Sequence, residues 1–435
     1  MVDALRQRFG LLVSIFGILF LVFASGVAVG VLSWGPAKVM SMAIGGVRDI
    51  RAYASEYWSN TPKQHLRTRF YPGDGVLRAD VGQVQPGVTL LAGLFGTKLG
   101  FRLFAADGTL IHEWPTNVFD IAPEEKKYHF DALTHGEVLL PNGDVIANIV
   151  GRGLFRMDRC GRVLWRNKDQ THHSVALDDA GHVWAPGKRS GYNVPEIADK
   201  PFTFDVVYEF DAETGKILSE IDLVETMMKS GLPGITPSAG TDLGDIFHLN
   251  DVEPLSASMA AAFPMFRAGD LLISSRNLNE IWVLDSETHL IKWWFQGPMI
   301  GQHDPDFNPD GSITLLDNHP GGVANAENGR LGRIGGSRII AIDPATKTYK
   351  VTYRSGPKND FYTERRGKHQ LQENGNLLIT ETDIGRVFEA TPAGDIVWEY
   401  LNGWDETHVG WIMGATRYPE SYGAFAEKTC PAPTN

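Results

Sequence analysis

The sequence predicts an all-β fold, and three observations carry that expectation. The first is a spacing. His135 precedes Gly143 by eight residues, His173 precedes Gly181 by eight and His303 precedes Gly311 by eight, and each glycine closes a turn ahead of an aliphatic run. The second is a recurring block ending, a glycine turn followed by an aliphatic strand that finishes on an aromatic, as in Gly161-Arg162-Val163-Leu164-Trp165 and Gly394-Asp395-Ile396-Val397-Trp398. The third is the period of these blocks, about 40 to 60 residues, which is that of four-stranded propeller blades. Six such blocks make a six-bladed β-propeller, preceded by an N-terminal transmembrane helix.

Taken in order, residues 1–10 form a short tail. Residues 11–33 carry no charge and are flanked by Arg6, Arg8 and Lys38, a length that crosses a bilayer. The apolar run continues past Phe23-Ala24-Ser25-Gly26, where a cleavage site would fall, so it reads as an uncleaved signal anchor. Residues 34–86 are a stalk and lead-in, with an amphipathic helical pattern at 37–53. The propeller is expected over 87–408, and 409–435 form a closing segment and tail.

The first block runs from Gly87 to Trp114. The second begins at His135 and ends at Trp165, the third runs from the His172-His173 pair to Leu218, and the fourth from His248 to Phe295 with a Ser/Ala/Met-rich insertion before Gly269. The fifth runs from His303 to Tyr353 and the sixth from His369 to Tyr400. His369 stands only six residues before Gly375, an even shift that keeps it on the same face of an extended strand. Trp293-Trp294-Phe295 reads as outer-strand core.

Composition narrows the function. A formal net charge of -12 with no basic stripe excludes a nucleic-acid binder. Cys160 and Cys430 fit no zinc spacing; in an oxidising compartment they are free to pair, tying the tail to the body, or to stay reduced. Nothing points to a nucleotide, flavin or haem, and neither cofactor nor metal is expected.

The inner strand of each blade lines the central channel, so residues at one repeat position converge near the axis. His135, His173, His248, His303 and His369 all stand at or near the start of a predicted inner strand. A single histidine there is more often a packing or capping residue. Several at one position suit proton handling, nucleophilic attack or metal binding. Arg330, Arg333 and Arg338 follow Asp317-Asn318 in a Gly/Asn-rich loop, where a guanidinium suits a tetrahedral oxyanion.

On these residues the chain resembles the bacterial arylsulfate sulfotransferase family. The resemblance rests on His248-Leu249-Asn250, Gln302-His303-Asp304 with Thr314-Leu315-Leu316-Asp317-Asn318, Ser337-Arg338, Lys368-His369 before Asn374-Gly375-Asn376, and Gly414-Ala415-Thr416-Arg417-Tyr418. It implies a nucleotide-independent ping-pong transfer of a sulfuryl group from a phenolic sulfate ester to a phenol. His369 would carry a transient sulfohistidine and His303 would handle the proton. His173, His248 and Asn250, with Arg330 or Arg338, would bind substrate. Asn318 is followed here by His319-Pro320-Gly321-Gly322 rather than by a nearby arginine, which leaves several arginines competing for the oxyanion. The run at 11–33, which departs from the family pattern, reads as an inner-membrane anchor; the resemblance favours the propeller on the periplasmic side, and a membrane-protein partner is compatible with this. Two other readings stay open: a lyase or hydrolase with Zn²⁺ on three channel histidines, and an anchored propeller that binds without catalysis.

Overall fold

The computed structural model of the protein describes residues 16–21, 23, 61–122, 132–193, 201–231, 245–319, 336–355 and 361–430. The chain divides into a unit of Met1–Lys63 and a unit of Gln64–Asn435. Within the first, the expected span at 11–33 lies outside the described residues apart from 16–21 and 23, which are helical. Among the described residues no helix is long and apolar enough to cross a membrane. The amphipathic helix expected at 37–53 also lies outside them.

The second unit is a six-bladed propeller. Blade two orders Glu137–Leu139, Val145–Ile149, Gly153–Met157 and Val163–Asn167 from the channel outward. Blade three is Ala176–Leu177, His182–Tyr192, Phe202–Asp211 and Ile217–Asp222, and blade four is Leu249–Pro254, Leu271–Ser275, Glu280–Leu284 and Ile291–Gln296. Blade five is His303–Phe307, Ile313–Asp317, Arg338–Asp343 and Thr348–Arg354. Blade six is Lys368–Leu371, Leu377–Glu381, Arg386–Ala390 and Ile396–Leu401, with Gly75–Ala79 added as a fifth, outermost strand.

Blade one closes the ring. Its inner strand, Ile412–Tyr418, comes from the far end of the chain and pairs antiparallel with Val88–Phe95, which is followed by Lys98–Ala105 and Leu110–Glu113. The repeated glycine has a conformational reason. Gly143, Gly181, Gly311 and Gly375 lie at φ of 88°, 83°, 81° and 84°. Each donates its N–H to the carbonyl three residues earlier in the turn between the first two strands of its blade.

The middle strands are packed between neighbouring blades on both faces, so they are buried at every position rather than at alternate ones. Trp282 and Phe247 meet edge to face at 5.9 Å inside a core that runs from Leu140 to Leu284 and joins blades two, three and four. Trp293 is 3% exposed and Trp294 38%, the inward and outward residues of one outer strand. At the tail, Cys160 and Cys430 are disulfide-bonded across a sequence separation of 270. The preceding 3-10 segment, Glu420–Glu427, places Phe425 against His112 and Trp114.

Candidate active site

Four of the five histidines meet at the end of the channel where the inner strands begin. The ring of His173 lies 4.5 Å from His135, 5.0 Å from His248 and 6.5 Å from His303, and His135 and His303 face each other at 6.4 Å. Local backbone shape directs them. His173 and His248 adopt left-handed φ values of 57° and 48°, a conformation that non-glycine residues take rarely and at some cost. Asp304 is left-handed too, at 56°, and the register of its strand shifts between His303 and Asp306. That bulge turns both His303 and Asp304 into the channel, where regular alternation would have separated them.

Hydrogen bonds fix the imidazoles. His303 Nδ1 lies 2.7 Å from the Asn318 Oδ1 and 3.0 Å from the Gly301 carbonyl, so it carries the proton and donates. Its Nε2 accepts from the Arg366 backbone N–H at 3.3 Å. Burial pushes His303 down to about 3, so the ring is neutral near pH 7 with a lone pair on Nε2. His172 Nε2 donates to Asp205 at 3.1 Å, and its Nδ1 lies 2.8 Å from His173 Nδ1. That chain makes Nδ1 the donor of His173 and leaves its Nε2 bare. Burial holds His135 and His173 well below the usual histidine range, and the neighbouring Arg366 adds to this at His135.

His248 is different. It is partly exposed, and its Nδ1 lies 2.5 Å from Asp245 Oδ2. Asp245 also takes Lys188 Nζ at 2.6 Å. Despite the burial that opposes it, the His248 hydrogen bond and the Lys188 ammonium hold the Asp245 carboxyl well below the usual range. His248 and Asp245 thus form an oriented acid–base pair.

The Arg276 guanidinium opposes protonation of His303, and that of Arg366 opposes protonation of His135. Arg366 stacks over Trp411 at 4.3 Å. Of the arginines expected at the oxyanion, Arg330 and Arg333 lie outside the described residues. Arg338 is committed elsewhere, bonding Asp317 Oδ2 at 2.7 Å and the Pro298 carbonyl at 3.1 Å. Asn250 donates to the Gln302 carbonyl at 2.6 Å, and its buried Oδ1 has no partner among the described residues.

His369 does not join the cluster. The position eight residues before Gly375 is Gly367, where an added Cβ would lie 2.7 Å from Leu316 Cδ2 and 2.9 Å from the Thr380 carbonyl. Blade six therefore has no room for a side chain there, and its histidine sits one pleat further along the strand, about 7 Å away. There His369 Nδ1 meets Asp304 Oδ2 at 3.2 Å and Nε2 meets Thr314 Oγ1 at 2.8 Å, with the side chain 0% exposed. Its surroundings are acidic. Glu137, Asp251, Glu253, Asp304, Asp306 and Lys368 line the same cavity. Burial pushes Glu137 and Asp251 up to about 7. Asp304 is held low in spite of burial by its His369 bond and the Lys368 ammonium.

Sequence reasoning missed Asp205, Asp245, Arg276 and Arg366. The His172-His173 doublet was the visible sign of the first, since a second histidine at a strand start needs a partner. The others come from loops whose approach to the channel no spacing announces.

A profile of the arylsulfotransferase (ASST) family matches residues 136–403, and the chain belongs to that family. Among solved structures it is similar to a protein of unknown function from Bacteroides caccae, at 11% identity and a TM-score of 0.45, covering 76% of this chain and 98% of that one. It is similar also to virginiamycin B lyase from Staphylococcus aureus, at 12% identity and a TM-score of 0.35 over 61% of this chain and 69% of that one. A third is the Pan2 WD40 domain of Neurospora crassa, at 10% and 0.36 over 74% and 77%. No curated protein sequence matches the chain.

Proposed function

We propose that this protein moves a sulfuryl group from a phenolic sulfate ester to a phenolic acceptor at the four-histidine end of the channel, without a nucleotide donor. The observation that carries the reading is the state of His303. A neutral ring with its Nδ1–H spent on Asn318 offers Nε2 as a nucleophile near neutral pH.

His303 Nε2 attacks sulfur, the S–O bond to the donor phenol breaks, and the leaving phenolate takes a proton from His248, which Asp245 orients. The acceptor phenol then returns a proton to His248 and attacks the sulfur of N-sulfo-His303, regenerating the imidazole. Arg276 and Arg366 supply positive charge for the sulfuryl oxygens. His173 and Asn250 line the approach as acceptors for a phenolic hydroxyl.

The family resemblance places the covalent step on His369. The surroundings favour His303 instead: the cavity beside His369 is lined by carboxyl groups that share the Lys368 ammonium. Such a lining does not attract an anionic ester. The disulfide supports the expected periplasmic location, because such bonds persist in oxidising compartments. With it we retain the inner-membrane anchor at 11–33.

The test is transfer from p-nitrophenyl sulfate to phenol by the detergent-solubilised full chain, with His303→Asn and His369→Asn alongside. Nitrophenol release that requires an acceptor and disappears in His303→Asn supports the reading. A folded protein that turns over no aryl sulfate with any phenol refutes it and returns the chain to the class of binding propellers.

A further inference from the structure

Beyond the histidines the channel opens into a cavity of about 370 Å³ that sulfuryl transfer does not use. We propose that this cavity is a divalent-cation site, held by the carboxylates of Asp304 and Asp306 and one imidazole nitrogen of His369. The three residues each present one donor atom, and the three atoms lie within 4.8 Å of one another. His369 Nδ1 is 3.2 Å from Asp304 and its Nε2 is 3.6 Å from Asp306, and the three residues border a space large enough for the waters that complete a coordination shell.

A second observation points to a ligand independently. Glu137, from blade two on the facing wall, is 3% exposed, and among the described residues neither of its carboxyl oxygens has a hydrogen-bond partner. The fold makes room for it: a Cβ on Gly414 would lie 2.1 Å from Glu137 Oε1. A buried polar group without a partner costs stability, and a bound ion with its waters would give this carboxyl group one.

Charge balance gives the same answer. Five carboxyl groups line the cavity, Glu137, Asp251, Glu253, Asp304 and Asp306, and Lys368 is the cation they share, 3.9 Å from Asp304. A divalent ion between Asp304 and Asp306, with water reaching Glu137, would add a second cation to this oxygen-rich wall. Oxygen donors with a single imidazole suit Mn²⁺ among the common divalent ions. The site shares no ligand with the His303–His248 centre, so it stands or falls separately from the transfer reaction.

The experiment titrates Mn²⁺ into the full chain and follows loss of the free-ion electron paramagnetic resonance signal, with pulsed measurement of nitrogen coupling on the bound ion. One tight site showing one imidazole nitrogen is expected in the wild type and in His303→Asn. Asp306→Asn should bind roughly 10- to 100-fold more weakly, a loss of the size seen when a metal site is disturbed, and His369→Gln should lose the nitrogen coupling. A wild-type protein that leaves the Mn²⁺ signal free, or binds it without nitrogen coupling, overturns the proposal whether or not the variants fold. Binding undiminished in Asp306→Asn overturns it as well.

Discussion

His303 Nδ1 donates to Asn318 Oδ1 at 2.7 Å, a contact between the first residue of one strand of blade five and the residue that follows the next strand. The same asparagine donates from Nδ2 to the Thr363 and Arg366 carbonyls, so its amide orientation is set on both sides. The imidazole tautomer is thereby fixed from outside the ring. Everything proposed for the reaction depends on that choice, because it leaves the lone pair on Nε2, which must give up its 3.3 Å bond from the Arg366 N–H to attack.

Asn318→Leu keeps approximate volume and removes the acceptor. It is expected to lower kcat by about 100-fold or more, the size of effect attached to losing one correctly protonated group, with KM for the donor little changed. Steady-state kinetics with p-nitrophenyl sulfate checks this. Equal losses in kcat and in binding would instead mean that Asn318 only holds the loop together.

Asp245→Asn removes the carboxylate that orients His248. The rate should fall about 100-fold, and more for unsubstituted phenyl sulfate than for p-nitrophenyl sulfate, since nitrophenolate leaves without help from an acid. Comparing the two donors in wild type and variant measures the difference. An identical loss for both would remove His248 from proton transfer.

His65 offers a clean pH test away from the reaction. It is 1% exposed, its Nε2 donates to the Ala132 carbonyl at 2.8 Å, and burial pushes it down to about 4. Because the folded value lies below the unfolded one near 6.5, its contribution is complete above pH 6.5 and is lost as pH falls toward 4. The stability difference between wild type and His65→Gln should shrink over that window by up to about 3 kcal/mol. Denaturant midpoints at pH 7 and pH 4.5 decide it, and a gap that does not narrow contradicts the assignment.

The disulfide closes a long loop, from Cys160 in blade two to Cys430 in the tail. Cys430→Ser should lower stability by about 3 to 5 kcal/mol on the chain-entropy account. The closing strand Ile412–Tyr418 keeps its own pairing with Val88–Phe95, so the variant should still fold. Thermal melts in the presence and absence of reductant, wild type against variant, measure both points.

The propeller was legible because its repeat is chemical as well as geometric. The glycine turns need a positive φ, and the aliphatic runs need burial on both faces, so both leave marks in the sequence. The histidine positions followed from the same spacing for blades two, three and five. Blade six departs from that spacing for a physical reason. An even shift does keep His369 on the channel face, but it also moves the ring a pleat along the axis, and the crowding around Gly367 that forces the shift is visible only in three dimensions. Asp205 and Asp245 were hidden because they act from loop or outer positions, outside the inner-strand repeat, and Arg338 looked free because its partner Asp317 lies 21 residues away. The added outer strand Gly75–Ala79 carries no turn signature that distinguishes it from lead-in.

The central claim is that His303 carries the sulfuryl group. Incubating the protein with p-nitrophenyl sulfate in the absence of acceptor, quenching under alkaline conditions that preserve N-sulfo linkages, and mapping peptides by mass spectrometry reads this directly. The account predicts a sulfuryl adduct on the peptide containing His303, discharged when phenol is added before the quench. An adduct on His369, or burst release of nitrophenol with no adduct on any histidine, would contradict it.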